Sequence, residues 1–94
     1  MSNKIAIVTG GSRGLGKNTA LHLATKGIDT ILTYHSQQAE AEHAVTEIER
    51  LGARAVALRL DVADSANFSA FIEQVQLALQ THWQRDRFDF LVNN

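Results

Sequence analysis

The segment Thr9-Gly-Gly-Ser-Arg-Gly-Leu-Gly-Lys-Asn-Thr19 holds four glycines within seven residues, Gly10 to Gly16. Glycines at this density let a backbone turn tightly and approach a ligand without side-chain obstruction. Where such a turn leads into a helix, exposed N–H groups and the helix dipole attract phosphate. Two phosphate chemistries compete for this segment. From Gly11 it nearly spells G-x-x-x-x-G-K-[ST], a loop that cradles a nucleoside triphosphate, with Lys17 on the terminal phosphates and the next hydroxyl on Mg²⁺. From Thr9 it spells T-G-x-x-x-G-x-G, a dinucleotide loop. The first pattern breaks at Asn18, because the required hydroxyl arrives one residue late at Thr19. Lys17 then reads as a solvated lysine on a first helical turn. The strict dinucleotide fingerprint G-x-G-x-x-G also fails, since its third position falls on Thr19. In the looser pattern Gly10 permits the turn, Gly14 lets the backbone meet a pyrophosphate, and Gly16 lets the helix pack closely.

The elements around this loop fit that use. Residues 4–8 form an almost continuous apolar run, the pattern of a strand covered on both faces. A helix is predicted from about Leu15 to Lys26, with Ala20, Leu23 and Ala24 on one face and Gly27 as its cap. Residues 29–34 are rich in β-branched and aromatic types and predict a second strand. Over 37–51, Ala41, Ala44, Val45, Ile48 and Leu51 recur at helical spacing, and Gly52 marks the stop. A third strand is expected over 54–60. Asp64 or Ser65 can cap a third helix with Phe68, Ile72, Val75 and Leu79 as its apolar stripe. Phe71 is assigned to the core as well. A polar loop, His-Trp-Gln-Arg-Asp-Arg, then leads to a fourth strand from Phe88 to Val92, and Trp83 is expected to seal the end of the third helix without further role.

This β-α-β-α-β-α-β alternation predicts an α/β fold: a Rossmann-type, doubly wound parallel sheet with right-handed crossovers and strand order 3-2-1-4. Only its first four strands are present, so the sheet is expected to be incomplete. Residues 1–94 then read as the N-terminal part of one dinucleotide-binding domain, cut after strand 4.

Composition narrows the function classes. The 94 residues are 45% hydrophobic and 20% charged, with a net charge of −1 and no cysteine. That balance describes an ordinary folded chain and provides no electrostatic footprint for nucleic acid or an anionic membrane. No apolar run approaches the roughly 18–20 residues of a membrane span. Without cysteine there is no disulfide framework, thiolate catalysis or cysteine-bound zinc. His22, His43 and His82 are none of them followed four residues on by a second histidine, and no metal site is expected. The opening residues carry no signal-peptide pattern, and a cytoplasmic location is expected.

Taken together, Thr9-Gly10-Gly11-Ser12-Arg13-Gly14-Leu15-Gly16, Leu60-Asp61-Val62 and Leu91-Val92-Asn93-Asn94 resemble three ordered motifs of the short-chain dehydrogenases/reductases. The third matches the first half of that family's Asn-Asn-Ala-Gly motif. The resemblance spans the chain and favours the dinucleotide loop over the triphosphate loop. It implies an oxidoreductase that reduces a small-molecule carbonyl or oxidises an alcohol. Gly10, Ser12, Arg13, Gly14, Leu15 and Gly16 would hold the cofactor phosphates. Asp61 would accept from the adenine amino group and the Val62 backbone would bond the ring. Asn93 and Asn94 would support the sheet beside the adenosine ribose.

Cofactor choice falls at the end of strand 2, where a carboxylate accepts from a ribose 2′-hydroxyl and repels a 2′-phosphate. Here the chain reads Thr33-Tyr34-His35-Ser36, with Tyr34 where NAD-preferring relatives carry aspartate. Arg13 can reach a 2′-phosphate with a charge-assisted bond on the order of 1.5–3 kcal/mol, and His35 and Ser36 can add hydrogen bonds. NADP(H) is therefore expected over NAD(H). The serine and Tyr-x-x-x-Lys pair that the family uses for proton transfer lie beyond its Asn-Asn-Ala-Gly motif. Tyr34 is followed four residues on by Gln38 and cannot be that tyrosine. No catalytic residue is therefore expected in these 94 residues. The resemblance also implies a homo-oligomer at full length. The alternative of another class is a non-catalytic dinucleotide-binding or regulatory module, with a nucleotide triphosphatase as the third reading.

Overall fold

The computed structural model describes residues 4–10, 14–60 and 68–93. Four strands, β1 (Ile5–Val8), β2 (Asp29–Tyr34), β3 (Ala55–Arg59) and β4 (Phe90–Val92), form one sheet of order β3-β2-β1-β4. All three pairings are parallel, with Val8 beside Leu32 and Val92, and Ile31 beside Val56. Helices α1 (Gly14–Thr25) and α2 (Gln38–Arg50) alternate with these strands, and α3 (Phe68–Ala78) precedes β4. No helix among the described residues is long and apolar enough to cross a membrane.

Alternation along each strand divides the core in two. Ala6, Val8 and Leu32 meet Ala20 and Ala24 of α1 and Ala41, Ala44 and Ile48 of α2. Ile5, Ile7 and Ile31 meet Phe71, Val75 and Ala78 of α3 on the other face. Helices on both faces of a parallel sheet make the doubly wound architecture expected from the alternation of elements. The alanines of α1 and α2 face β1 and β2, and such small side chains permit close approach of helix to sheet.

Three local expectations need correction. The buried stripe of α3 is Phe71, Val75, Ala78 and Leu79, whereas Phe68 and Ile72 are 55% and 41% exposed. Both sets satisfy helical spacing and share Val75 and Leu79, so periodicity alone leaves the rotation of the helix open. Leu51 closes α2 as its C-cap and is half exposed. The predicted polar loop after α3 begins instead as a π-helical turn, Leu79–Trp83, followed by Gln84 in the left-handed conformation at φ 53°. A regular helix would carry Trp83 about 40° past Leu79, away from the stripe. The wider turn rotates each residue less and winds the indole back under the sheet.

There the Trp83 Nε1–H donates to Asp29 Oδ2 at 2.8 Å, and Asp29 Oδ1 accepts from the Arg54 N–H at 2.8 Å. Arg54 Nη1 in turn donates to the His82 carbonyl. Trp83 is therefore a tether between α3 and two strands, a role its place in the sequence did not suggest. Asp89 acts similarly on β1, accepting from the Ile5 N–H at 2.8 Å.

One buried polar group stands out. Thr30 is fully enclosed between Ala6 and Ala55, and its hydroxyl has no hydrogen-bond partner among the described residues. Exchange of an unpaired hydroxyl for a methyl of equal shape removes a desolvation cost. Thr30→Val should therefore raise stability by about 1 kcal/mol, read as a higher urea midpoint. A lower midpoint would show that the hydroxyl is satisfied in solution.

Candidate functional site

The C-terminal edge of a doubly wound sheet, at the point where strand order reverses, is where this architecture leaves a crevice. Here the reversal lies between β1 and β4, and the glycine-rich loop leaves β1 at that place. Thr9 still belongs to the sheet, since its N–H donates to the Val92 carbonyl at 3.0 Å. Its hydroxyl lies 3.1 Å from Asn93 Oδ1 and 3.4 Å from the Val92 carbonyl, so one proton is shared between two acceptors on β4 and its end. Asn93 is thus placed beside Thr9 at the start of the loop.

Gly10 then turns the chain at φ +65°, and Gly14 enters α1 at φ +62°. Both values lie in the left-handed region that favours glycine. Gly14 has open space where a Cβ would be, so its requirement is conformational rather than steric. Gly16 is buried and Leu15 is 77% exposed. The first turn of α1 holds no acidic residue to offset its positive dipole end. These features fit a pyrophosphate. Ser12, Arg13, Asp61, Val62 and Asn94 lie outside the described residues.

Lys17 separates the two phosphate chemistries. Its ammonium lies 2.7 Å from Glu47 Oε2, across the gap between α1 and α2. That hydrogen bond holds the Glu47 carboxyl below its ordinary range. A lysine engaged on the flank of α2 is not directed at phosphates in the loop, which removes the central cation of the triphosphate reading.

At the end of β2, Tyr34 is half-buried and packs against the α1/α2 core. With Gln38, Glu42, Val45, Thr46 and Ala57 it lines a cavity of about 380 Å³. His35 and Ser36 are exposed. No carboxylate stands at positions 33–36. Two contacts that the sequence did not signal hold this segment. The Leu60 N–H donates to the Tyr34 carbonyl at 2.8 Å, and Arg59 Nε donates to the His35 carbonyl at 3.0 Å. A third is Thr33, whose hydroxyl accepts from the Gly10 N–H at 2.9 Å. An arginine or threonine within a strand carries no mark of such a role until the loops are placed.

A sequence profile of the short chain dehydrogenase family matches residues 4–94. The chain belongs to that family. Among similar proteins, the short-chain dehydrogenase/reductase homolog YusS of Bacillus subtilis (strain 168) is 37% identical over 92 residues, covering 98% of this chain and 79% of YusS. Two solved structures superpose with a TM-score of 0.92. One is the promiscuous reductase LugOII, which catalyses keto-reduction at C1 during lugdunomycin biosynthesis, at 34% identity. The other is the landomycin C-6 ketoreductase LanV with bound NADP and rabelomycin, at 28% identity. Each covers 99% of this chain, which spans only 38% of either structure.

Proposed function

We propose that this chain is the cofactor-holding part of an NADP(H)-dependent oxidoreductase that reduces a carbonyl or oxidises an alcohol on a small molecule. The observation that carries the reading is the pairing of a left-handed glycine turn at Gly10 and Gly14 with a strand end, Thr33 to Ser36, that bears no carboxylate. The backbone from Gly10 to Gly16, with Ser12, holds the pyrophosphate. Arg13, with His35 and Ser36, meets the 2′-phosphate beside Tyr34. Asp61 and Val62 receive the adenine, and Asn93 and Asn94 line the ribose side. A nicotinamide cofactor bound there supplies or accepts the hydride. The 94 residues themselves position the cofactor and include no group for proton transfer. At full length we place the protein in the cytoplasm as a homo-oligomer, with no nucleic-acid or membrane partner.

Calorimetric titration in EDTA tests the cofactor assignment. NADPH is expected to bind at least about ten-fold more tightly than NADH, the value of one charge-assisted contact. Equal affinity would remove the NADP(H) preference. Tight binding of Mg-ATP in a parallel titration with Mg²⁺ and no EDTA, with no dinucleotide binding, would overturn the reading as a whole.

A further inference from the structure

Successive N–H groups of a strand point to opposite neighbours. The Thr9 N–H is taken by β4, so that of Gly10 faces β2. The acceptor that receives it there is the Thr33 hydroxyl, at 2.9 Å. With Gly10 at φ +65° the chain is already leaving the sheet plane, and a side chain carries the contact at the point of departure. Thr33 is 3% exposed and β-branched, so its hydroxyl is held in place by packing and by a restricted χ1. It is also the residue immediately before Tyr34, where β2 ends.

Resting on the dinucleotide reading above, we propose that Thr33 is a positioning residue for the cofactor, setting where the glycine loop leaves β1 and coupling that loop to the strand end that meets the 2′ position. Valine has the shape of threonine and suits a buried strand, but it offers no acceptor. Thr33→Val leaves the Gly10 N–H unpaired in a part-buried setting, and the turn relaxes toward water to satisfy it. The pyrophosphate then meets a displaced loop, whichever nicotinamide nucleotide carries it. This distinguishes Thr33, whose loss weakens both nucleotides, from Tyr34, whose replacement by aspartate weakens NADPH and favours NADH.

The test is calorimetric titration of the full chain and its Thr33→Val, Thr33→Ala and Thr33→Ser variants with NADPH, NADH and 2′-AMP. Trp83 emission, at the opposite end of the sheet, monitors folding. Thr33→Val and Thr33→Ala are expected to bind both NADPH and NADH at least about ten-fold more weakly, NADPH by no smaller a factor than NADH. 2′-AMP has the 2′-phosphate without the pyrophosphate, and Arg13 is its one contact with the displaced loop, so it should lose clearly less affinity than either dinucleotide, and Thr33→Ser should restore dinucleotide binding. Should Thr33→Val not fold, Thr33→Ala carries the comparison. Unchanged dinucleotide affinity, or an equal loss for 2′-AMP, overturns the proposal while leaving the cofactor reading intact. Absence of dinucleotide binding by the unaltered chain overturns that reading and this proposal with it. Amide exchange at Gly10 in the ligand-free protein should be at least about ten-fold faster in Thr33→Val than in Thr33→Ser; equal rates would also overturn the proposal.

Discussion

Tyr34→Asp is expected to move the NADPH-to-NADH affinity ratio by about 100-fold toward NADH. Two effects add. A carboxylate at the end of β2 repels the 2′-phosphate of NADPH, and it accepts a hydrogen bond from the 2′-hydroxyl of NADH. At about 1.5 kcal/mol each, their sum corresponds to roughly two orders of magnitude. The backbone that presents the side chain should remain in place. The Tyr34 carbonyl is held by the Leu60 N–H and the His35 carbonyl by Arg59 Nε, and neither contact involves the substituted side chain. Loss of the half-buried ring enlarges the cavity beside Gln38, Glu42 and Ala57, and should lower stability by about 2 kcal/mol. The ratio of two dissociation constants on one variant is independent of that cost. If Tyr34→Asp retains the original ratio, the strand end does not read the 2′ position.

Asp29→Ala should destabilise the fold by about 3 kcal/mol or more, with little effect on cofactor affinity in the molecules that remain folded. The Asp29 carboxylate is 4% exposed and receives two donors, the Arg54 N–H and the Trp83 indole N–H, both at 2.8 Å. Hydrogen bonds to a charged group contribute about 1.5–3 kcal/mol each, and removing the acceptor leaves both donors buried or part-buried without it. Asp29→Asn keeps one acceptor oxygen and should fall between the two. The chain contains one tryptophan, so unfolding in urea can be followed by Trp83 emission, which should also shift to the red in Asp29→Ala as the end of α3 loosens. A loss below about 1 kcal/mol would mean that the π-helical turn is held by packing alone. Asp29 lies at the N-terminal edge of the sheet, opposite the glycine loop, which is why binding should survive.

These two substitutions mark different depths of legibility. The glycine turn could be read because its conformation depends on backbone freedom, and positions needing that freedom favour glycine. Gly10 and Gly14 indeed adopt positive φ. The alternation of strands and helices could be read because each element shows its own hydrophobic period, and the right-handed crossover leaves few arrangements of four parallel strands. Family membership followed from the same local features in order.

The choice between lysine roles could not be read so directly. Lys17 sits one residue beyond Gly16 under either phosphate chemistry, and its partner Glu47 is thirty positions away on α2. Only the packing of α1 against α2 brings the two within 2.7 Å. The same applies to α3, whose two overlapping apolar stripes satisfy one period equally. The sheet selects Phe71 and Ala78 and leaves Phe68 and Ile72 in water. The Asp29–Trp83 tether likewise spans 54 positions, and the Thr33–Gly10 bond spans 23.

Local pattern thus specified the elements, their order and the glycine turn after β1, because propensity, period and φ are properties of a residue and its near neighbours. The rotation of α3, the commitment of Lys17 to Glu47, the anchoring of Trp83 and the acceptor for Gly10 depended on tertiary packing. Each is a contact between groups distant along the chain, and its partner exists only once the sheet has assembled.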